Sequence, residues 1–410
     1  MDLFTGKLLW PDTLPNPPAY PALDDDIECD VLIIGGGVAG ALCSYYLTKQ
    51  GVKTVLVEKR SIGAGTTAAN SGILQCSNDK TLTSCINSFG ERNGVRFYQL
   101  CKQAVSELGR ICSELNLDAD YRNRNCLYVA SKEKDIGSLQ KEFELLQKHG
   151  FSVGYWGPEQ ISRHFSFSKP GAIFSEGDAD FNPYKLSNRL IEALCSQFGL
   201  RAYTNTEIIS HIAHENHLVF HTKNRSTITA SKAIIATGYE AQQLKHNSNA
   251  FLESTYAMAT QQLESFPGWF DQCLLWETAR PYLYLRTTVD NRIVVGGMDE
   301  GTNNPKERDS MLLRKKDLLL EEAKKLFPEL GELKAEYYWS ATFGSTHDGF
   351  PLIGPQEAFP HCYFALGYGG NGTVYSTIAG QILSSLITNG FHPDAYLFRF
   401  DRPSRQLSHS

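Results

Sequence analysis

Between residues 29 and 58 the chain has a layout that few folds accommodate. Cys29-Asp30-Val31-Leu32-Ile33-Ile34 is a short apolar run of strand type, and Gly35-Gly36-Gly37-Val38-Ala39-Gly40 follows it directly. Val38 to Gln50 is helix-compatible and stops at Gly51; Val52 to Val57 is a second strand. A strand, a helix and a strand in about 30 residues make a right-handed parallel crossover. In the G-x-G-x-x-G spacing each glycine serves a separate purpose. Gly35 allows the tight turn, Gly37 lets the backbone approach a pyrophosphate, and Gly40 permits close helix–strand packing. Val38 and Ala39 open the helix, whose unpaired N–H groups and partial positive charge suit a diphosphate. Glu58 closes the second strand 18 positions after Gly40. A carboxylate there accepts hydrogen bonds from an adenosine ribose and repels a 2′-phosphate, which favours FAD or NAD over NADP.

Composition narrows the class. Of 410 residues, 42% are hydrophobic and 20% charged, which fits a globular chain with a sizeable core and argues against disorder. A formal net charge of -6 offers no basic footprint, so no nucleic-acid partner is expected. No run approaches the roughly 20 apolar residues of a membrane span. Met1 to Asp26 lacks the apolar stretch of an export signal, and a cytoplasmic location is expected. The ten cysteines form no Cys-x-x-Cys pair and read as reduced core residues.

The order of elements predicts an α/β protein (α+β overall) whose nucleotide-binding domain is discontinuous. Residues 1–28, with five prolines, read as an extended arm lying on the surface. The binding domain is expected over 29–95, 171–245 and 343–410, and a second domain of mixed or antiparallel strands over 96–170 and 246–342. Within these, the patterning predicts a helix over 88–115, interrupted near Gly94, and a strand over 126–130. Further helices are expected at 136–149 and from Pro183 to about 198, with strands at 206–212, 217–222 and 231–238. Strands rich in Tyr, Val and Thr fill 254–297, and helices cover 310–327 and 373–388.

FAD and NAD share the glycine fingerprint, and other residues separate them. Lys59-Arg60-Ser61-Ile62-Gly63-Ala64-Gly65-Thr66-Thr67-Ala68-Ala69-Asn70-Ser71-Gly72 resembles the flavin-contacting loop of the D-amino-acid oxidase superfamily, which includes glycine oxidase and sarcosine oxidase. Ala233 to Gly238 is similar to that family's returning strand beneath the adenosine. Asp348 to Gly354, followed by Gly367-Tyr368-Gly369-Gly370-Asn371-Gly372-Thr373, resembles its C-terminal flavin segment. The resemblance covers about residues 28–400. It implies a glutathione-reductase-like Rossmann domain binding FAD, a substrate domain, and cofactor contacts from Lys59, Gly65, Thr66, Thr67, Asn70, Ser71, Gly72, Leu74, Ile208, Thr237 and Gly238. From the last segment it adds Asp348, Gly369, Gly370, Asn371, Gly372 and Thr373. The helix beginning at Thr373 would aim its positive end at the ring and favour the reduced, negatively charged form. Relatives that tether flavin use a cysteine shortly before the last loop or a histidine where this chain has Ala68 and Ala69. Trp339 to Asp348 contains no cysteine, so non-covalent FAD is expected.

The resemblance further implies oxidation of a C–N bond in a small amine or amino acid: hydride passes to flavin N5, the imine hydrolyses, and O₂ or another acceptor takes the electrons. Strand alternation puts Arg280, Tyr282, Tyr284 and Arg286 on one face, making Arg286 with Tyr284 a candidate clamp for a substrate carboxylate. The same alternation describes the outer face of any half-buried strand. His347, beside the last flavin segment, is a candidate for polarising substrate or for orienting the loop. Gln75 and Cys76 are placed near the ring. His211, His214, His217 and His221 straddle a strand, a turn and a strand; a surface hairpin is expected rather than a metal site. The alternative functions are a flavin-binding protein without turnover and an NAD-linked dehydrogenase.

Overall fold

Strand pairing in the computed structural model, which describes residues 1–244 and 247–402, sorts the chain into two sheets. The first has eight strands. At its centre Ile27–Ile34 lies parallel to Thr54–Val57 on one side and to Thr227–Ile235 on the other. Phe359–Leu366 continues the parallel set beyond Thr227–Ile235, and Leu352–Gln356 adds an antiparallel edge. The pleat explains why the central strands read as unbroken apolar runs. Val31 and Ile33 pack with Leu42, Leu190 and Ile378 from the helices Val38–Thr48, Pro183–Phe198 and Gly372–Asn389. Leu32 and Val55 face the opposite way, against Leu218 and Phe220 of a hairpin. Both faces are covered, so no polar alternation is needed. Each fully buried aliphatic side chain contributes about 1.5–3 kcal/mol.

The second sheet has ten strands and is largely antiparallel. Its order runs Phe4–Lys7, Ala335–Thr346, Ala250–Thr260, Ile293–Glu300, Leu283–Thr287, Leu274–Glu277, Arg122–Val129, Ala172–Asp180, Ile73–Leu74, with Val153–Trp156 also on Ala172–Asp180. The helix Leu312–Leu326 covers one face through Leu319 and Ala323.

Several expectations shift. The N-terminal arm is tied into the fold as well as lying over it: Phe4–Lys7 is an antiparallel edge strand on Ala335–Thr346, and Trp10 is buried, while Asp24, Asp25 and Asp26 stay exposed. Beyond the single 3-10 turn Trp10–Thr13, prolines keep residues 14–21 out of regular structure, but Leu3, Leu9 and Trp10 are apolar enough to anchor the arm. The helix expected over 88–115 breaks at Gly90, where φ is +83°, giving Leu82–Phe89 and Glu91–Glu114. Gly94 lies inside the second helix and packs against the backbone at Cys85 and Ile86. Residues 172–180, expected to belong to the nucleotide-binding part, pair with the larger sheet, and so does Ala335–Thr346 to its end.

Candidate functional site

A cavity of about 530 Å³ lies between the two sheets. At one end it is walled by Gly35, Gly37, Val38 and Ala39, with Glu58, Lys59, Ile208, Thr237 and Gly238 around them. Gly35 has φ +116°, and a Cβ there would sit 2.4 Å from the Ala236 carbonyl. A Cβ on Gly40 would lie 1.9 Å from the Gly35 carbonyl, so the first helical turn presses directly on the glycine turn. Gly40 therefore shapes this wall without lining it. Glu58 closes the motif: Oε2 accepts from the Gly36 N–H at 2.7 Å and Oε1 from the Arg60 N–H at 2.8 Å. Lys59 and Arg60 pair with Glu240 at 2.9 and 3.2 Å.

The residues present fit a dinucleotide. The helix starting at Val38 has no cap from the side chain of its N-cap residue, Gly37, although Thr67 Oγ1 accepts from the Val38 N–H at 3.1 Å. Thr237 Oγ1, in the cavity wall, is buried without a hydrogen-bond partner. Bare backbone at a helix start with an orphaned hydroxyl beside it is a donor set for phosphate and ribose oxygens.

Midway, the wall is formed by Gly65, Thr66, Thr67, Asn70 and Ser71 on one side and Gly369, Gly370, Gly372 and Thr373 on the other. Both segments are held from behind. Trp10 donates from Nε1 to the Asn70 carbonyl at 2.6 Å, and Trp339 from Nε1 to that of Ala69 at 3.0 Å. Asn371 does not line the cavity. Its Nδ2 donates to the carbonyls of Gln75 and Ser77 at 3.1 and 2.7 Å, tying the start of the last helix to the loop opposite.

The far end belongs to the larger sheet, which supplies Thr255, Tyr282, Tyr284 and Asp299. Tyr284 lies over Gly296, where a Cβ would be 2.1 Å from its hydroxyl. Tyr282 donates to Asp79 Oδ1 at 3.0 Å, and Asp79 Oδ2 accepts from the Gly370 N–H at 2.8 Å. Sequence reasoning missed Asp299, Thr255 and Tyr239 as wall residues, because nothing in their spacing marks them.

Several sequence candidates stand elsewhere. Arg286 is 1% exposed and outside the cavity wall. Its Nε donates to the Thr287 carbonyl at 3.0 Å and its Nη1 to the carbonyls of Phe181 at 2.7 Å and Gly72. The expected clamp is corrected accordingly: Arg286 buttresses the turn at Gly72 outside the cavity wall, and of the pair only Tyr284 lines the cavity. Burial pushes it down to about 10, with Asp180 opposing. Asp180, fully buried, also takes Arg122 and Arg124 at 2.7 and 2.9 Å. Burial alone would push its carboxyl up; the Arg286 and Arg122 guanidiniums outweigh that and hold it low.

His347 is exposed, stacked on Phe251 with ring centroids 4.8 Å apart, and outside the cavity. Its position supports neither polarising a substrate nor touching the ring. Asp348 is a staple: Arg402 grips it with Nε at 2.7 Å and Nη2 at 2.8 Å. Gly72 and Leu74 lie behind the wall, Leu74 paired with Ala179. Gln75 and Cys76 are also off the cavity; burial pushes the Cys76 thiol well up, and its N–H donates to Asp178 at 2.8 Å. The rings of His214 and His217 stack at the hairpin turn, whereas His211, packed on Phe220, lines the cavity beside Ile208. Among the described residues no group of three or more His, Cys, Asp or Glu could hold a metal ion, and no helix is long and apolar enough to cross a membrane.

Comparison with known proteins agrees with this geometry. The chain is similar to a putative Rieske 2Fe-2S iron-sulfur protein of Bacillus subtilis, YhfW, at 26% identity, over 95% of this chain and 74% of the relative. It is 24% identical to glycine oxidase of the same organism, over 91% of this chain and 97% of that one. The structure of glycine oxidase from Geobacillus kaustophilus superposes with a TM-score of 0.78 at 20% identity, covering 92% of this chain and 99% of that one. The family model described as FAD dependent oxidoreductase matches residues 30–386, from the first strand of the crossover into the final helix. The chain therefore belongs to the FAD dependent oxidoreductase family.

Proposed function

We propose that the protein holds FAD non-covalently and oxidises a C–N bond of a small amine or amino acid. The observation that carries this reading is one continuous cavity running from the glycine turn at Gly35 to the tyrosines of the larger sheet. The Val38–Ala39 helix start would take the pyrophosphate, with Glu58, Lys59 and Thr237 at the adenosine side. Asn70, Ser71 and Gly369 to Thr373 would enclose the flavin ring. Bound FAD supplies the acceptor for a hydride from the carbon beside the amine nitrogen, and water then converts the imine to a carbonyl.

The chain's own residues do the rest. The N-terminus of the helix Gly372–Asn389 stabilises negative charge at the edge of the cavity it faces. Tyr282 and Tyr284 narrow the far end, excluding water and orienting whatever enters. Ala68 and Ala69 offer no nucleophile, and burial pushes the thiol of Cys362, in the cavity wall, up to about 11, which disfavours a covalent tether. The similarity to glycine oxidases favours amine chemistry. Electrons would pass on to O₂ or another acceptor.

Anaerobic titration of the FAD-loaded protein with a panel of amines and amino acids tests the reading. Bleaching of the flavin by at least one of them is expected. Bleaching by none, with flavin still bound, would favour a binding protein without turnover. Heat release of NAD rather than flavin would favour an NAD-linked dehydrogenase.

A further inference from the structure

The far end of the cavity has an electrostatic imbalance. Of the residues that the larger sheet contributes to the wall, Asp299 alone carries a charge. Its Oδ1 is shut off from solvent and has no hydrogen-bond partner. A buried acceptor left unpaired is costly unless something arriving from outside satisfies it.

Two more carboxylates surround this point. Asp79 accepts from the Tyr282 hydroxyl, and Glu253 shares a strand face with Thr255 two residues away. Burial pushes Asp299 up to about 6, with Asp79 adding to the rise and the Thr255 hydroxyl, Lys315 and Arg280 opposing it. Burial likewise pushes Glu253 up to about 7, with Asp299 and Asp79 adding to it.

The nearby cations already have partners. Lys315 Nζ binds Glu300 at 2.5 Å and the Met298 carbonyl at 2.8 Å. Arg280 donates to the carbonyls of Ala279 at 2.9 Å and Asp79 at 3.2 Å, lies over the Tyr282 ring and does not line the cavity, and Arg286 is held among carbonyls behind the wall. No basic side chain from the larger sheet is left to bind a substrate carboxylate in this wall. Arg280 already covers one face of Tyr282, its guanidinium carbon 5.0 Å from the ring centroid. The neighbouring ring of Tyr284, 6.2 Å from that of Tyr282, carries no cation among the described residues and suits one, since a cation is drawn to the negative face of a ring.

We propose that this wall reads positive charge: the cavity takes a substrate with a second, non-reacting ammonium group, a diamine or longer polyamine, whose distal nitrogen pairs with Asp299 beside Tyr282 and Tyr284. This rests on the cavity being an amine-oxidising site and names the class of amine. It departs from a substrate held by its carboxylate.

The test compares 1,4-diaminobutane, butylamine and 4-aminobutanoate, which share a four-carbon chain and differ in what its far end carries. Each is titrated anaerobically into FAD-loaded wild-type protein at pH 8, where the carboxylates are ionised, and binding is followed by calorimetry alongside flavin bleaching. The diamine is expected to bind about tenfold or more tightly than butylamine, and 4-aminobutanoate most weakly. Asp299→Asn should bring the diamine-to-butylamine ratio close to one while FAD is retained, and Asp299→Glu should restore part of it. Equal binding of diamine and butylamine, or tighter binding of 4-aminobutanoate, would overturn the proposal, and wild-type protein alone decides this if a variant fails to fold. Preferential diamine binding without bleaching would keep the proposal and defeat turnover. Bleaching by butylamine without a diamine preference would do the reverse. Absence of binding by all three would defeat both.

Discussion

The two sheets meet at one cavity but build its walls by different means. On the nucleotide side the wall is mainly backbone: a glycine turn, a helix start and a returning strand, set on a sheet whose strands bury no charged side chain among the described residues. On the far side the wall is side chains, and the sheet behind it buries Asp178, Asp180 and Arg286. A backbone site depends on where glycines fall in the chain. A side-chain site depends on partners far away in sequence: Asp180 meets Arg122, and Arg286 meets Phe181. The first kind is robust to substitution of surface residues and intolerant of a single added methyl. The second kind rests on charges that hold only as a set.

The contrast can be broken from either side, beginning with the larger sheet. Asp180→Asn leaves Arg122, Arg124 and Arg286 without their shared carboxylate, and removing one partner of a buried ion network typically costs about 3–5 kcal/mol. A urea melt should show that loss. An unchanged midpoint would mean the charges do not hold this sheet. Gly40→Val attacks the other side, since its Cβ would lie 1.9 Å from the Gly35 carbonyl. Overpacking of this kind typically costs about 1–3 kcal/mol. The expected outcome is loss of flavin after desalting, and retention of a full complement would show that the turn can yield.

A third test uses pH. Burial pushes Asp178 up from 3.8 to about 7 in the folded protein, against hydrogen bonds from Cys76 and Ser175 that pull it down. Between those values the folded state holds a proton that the unfolded state has released, so this group's contribution is present below the lower value and is lost as pH rises through the upper one. Asp178→Asn should flatten that part of the profile of unfolding midpoint against pH; an unaltered slope would remove Asp178 as its cause. The smallest effect is expected from His347→Ala. An exposed ring stacked on Phe251 should contribute within about 0.5 kcal/mol, and flavin binding and turnover should be unchanged. A large loss of turnover would return His347 to the site.

The same contrast explains what is legible in the sequence. The crossover, the glycine turn and the last helix can be read because a parallel sheet buried on both faces leaves continuous apolar runs, and because backbone recognition needs glycine at fixed spacing. Alternation correctly sets Tyr282 and Tyr284 on the cavity side. It fails at Arg286, where the strand continues past the cavity and under the Gly72 turn: alternation identifies a face but not what covers it. Asp348 and Asn371 fall in flavin-like segments yet brace them, with Arg402 and with the Gln75–Ser77 loop as partners. Asp299 follows a run of small apolar residues and carries no local signal; only the fold brings it to Tyr282. The N-terminal arm misleads because its prolines are many and local, whereas the few apolar residues that anchor it, Leu9 and Trp10 among them, find their partners far along the chain.

The most direct measurement is the visible spectrum of the protein after incubation with excess FAD, desalting and heat precipitation. A cavity walled by the glycine turn and the two loops predicts flavin absorbance that stays with the protein through desalting and moves to the supernatant on precipitation. Protein that is colourless after desalting would contradict the account.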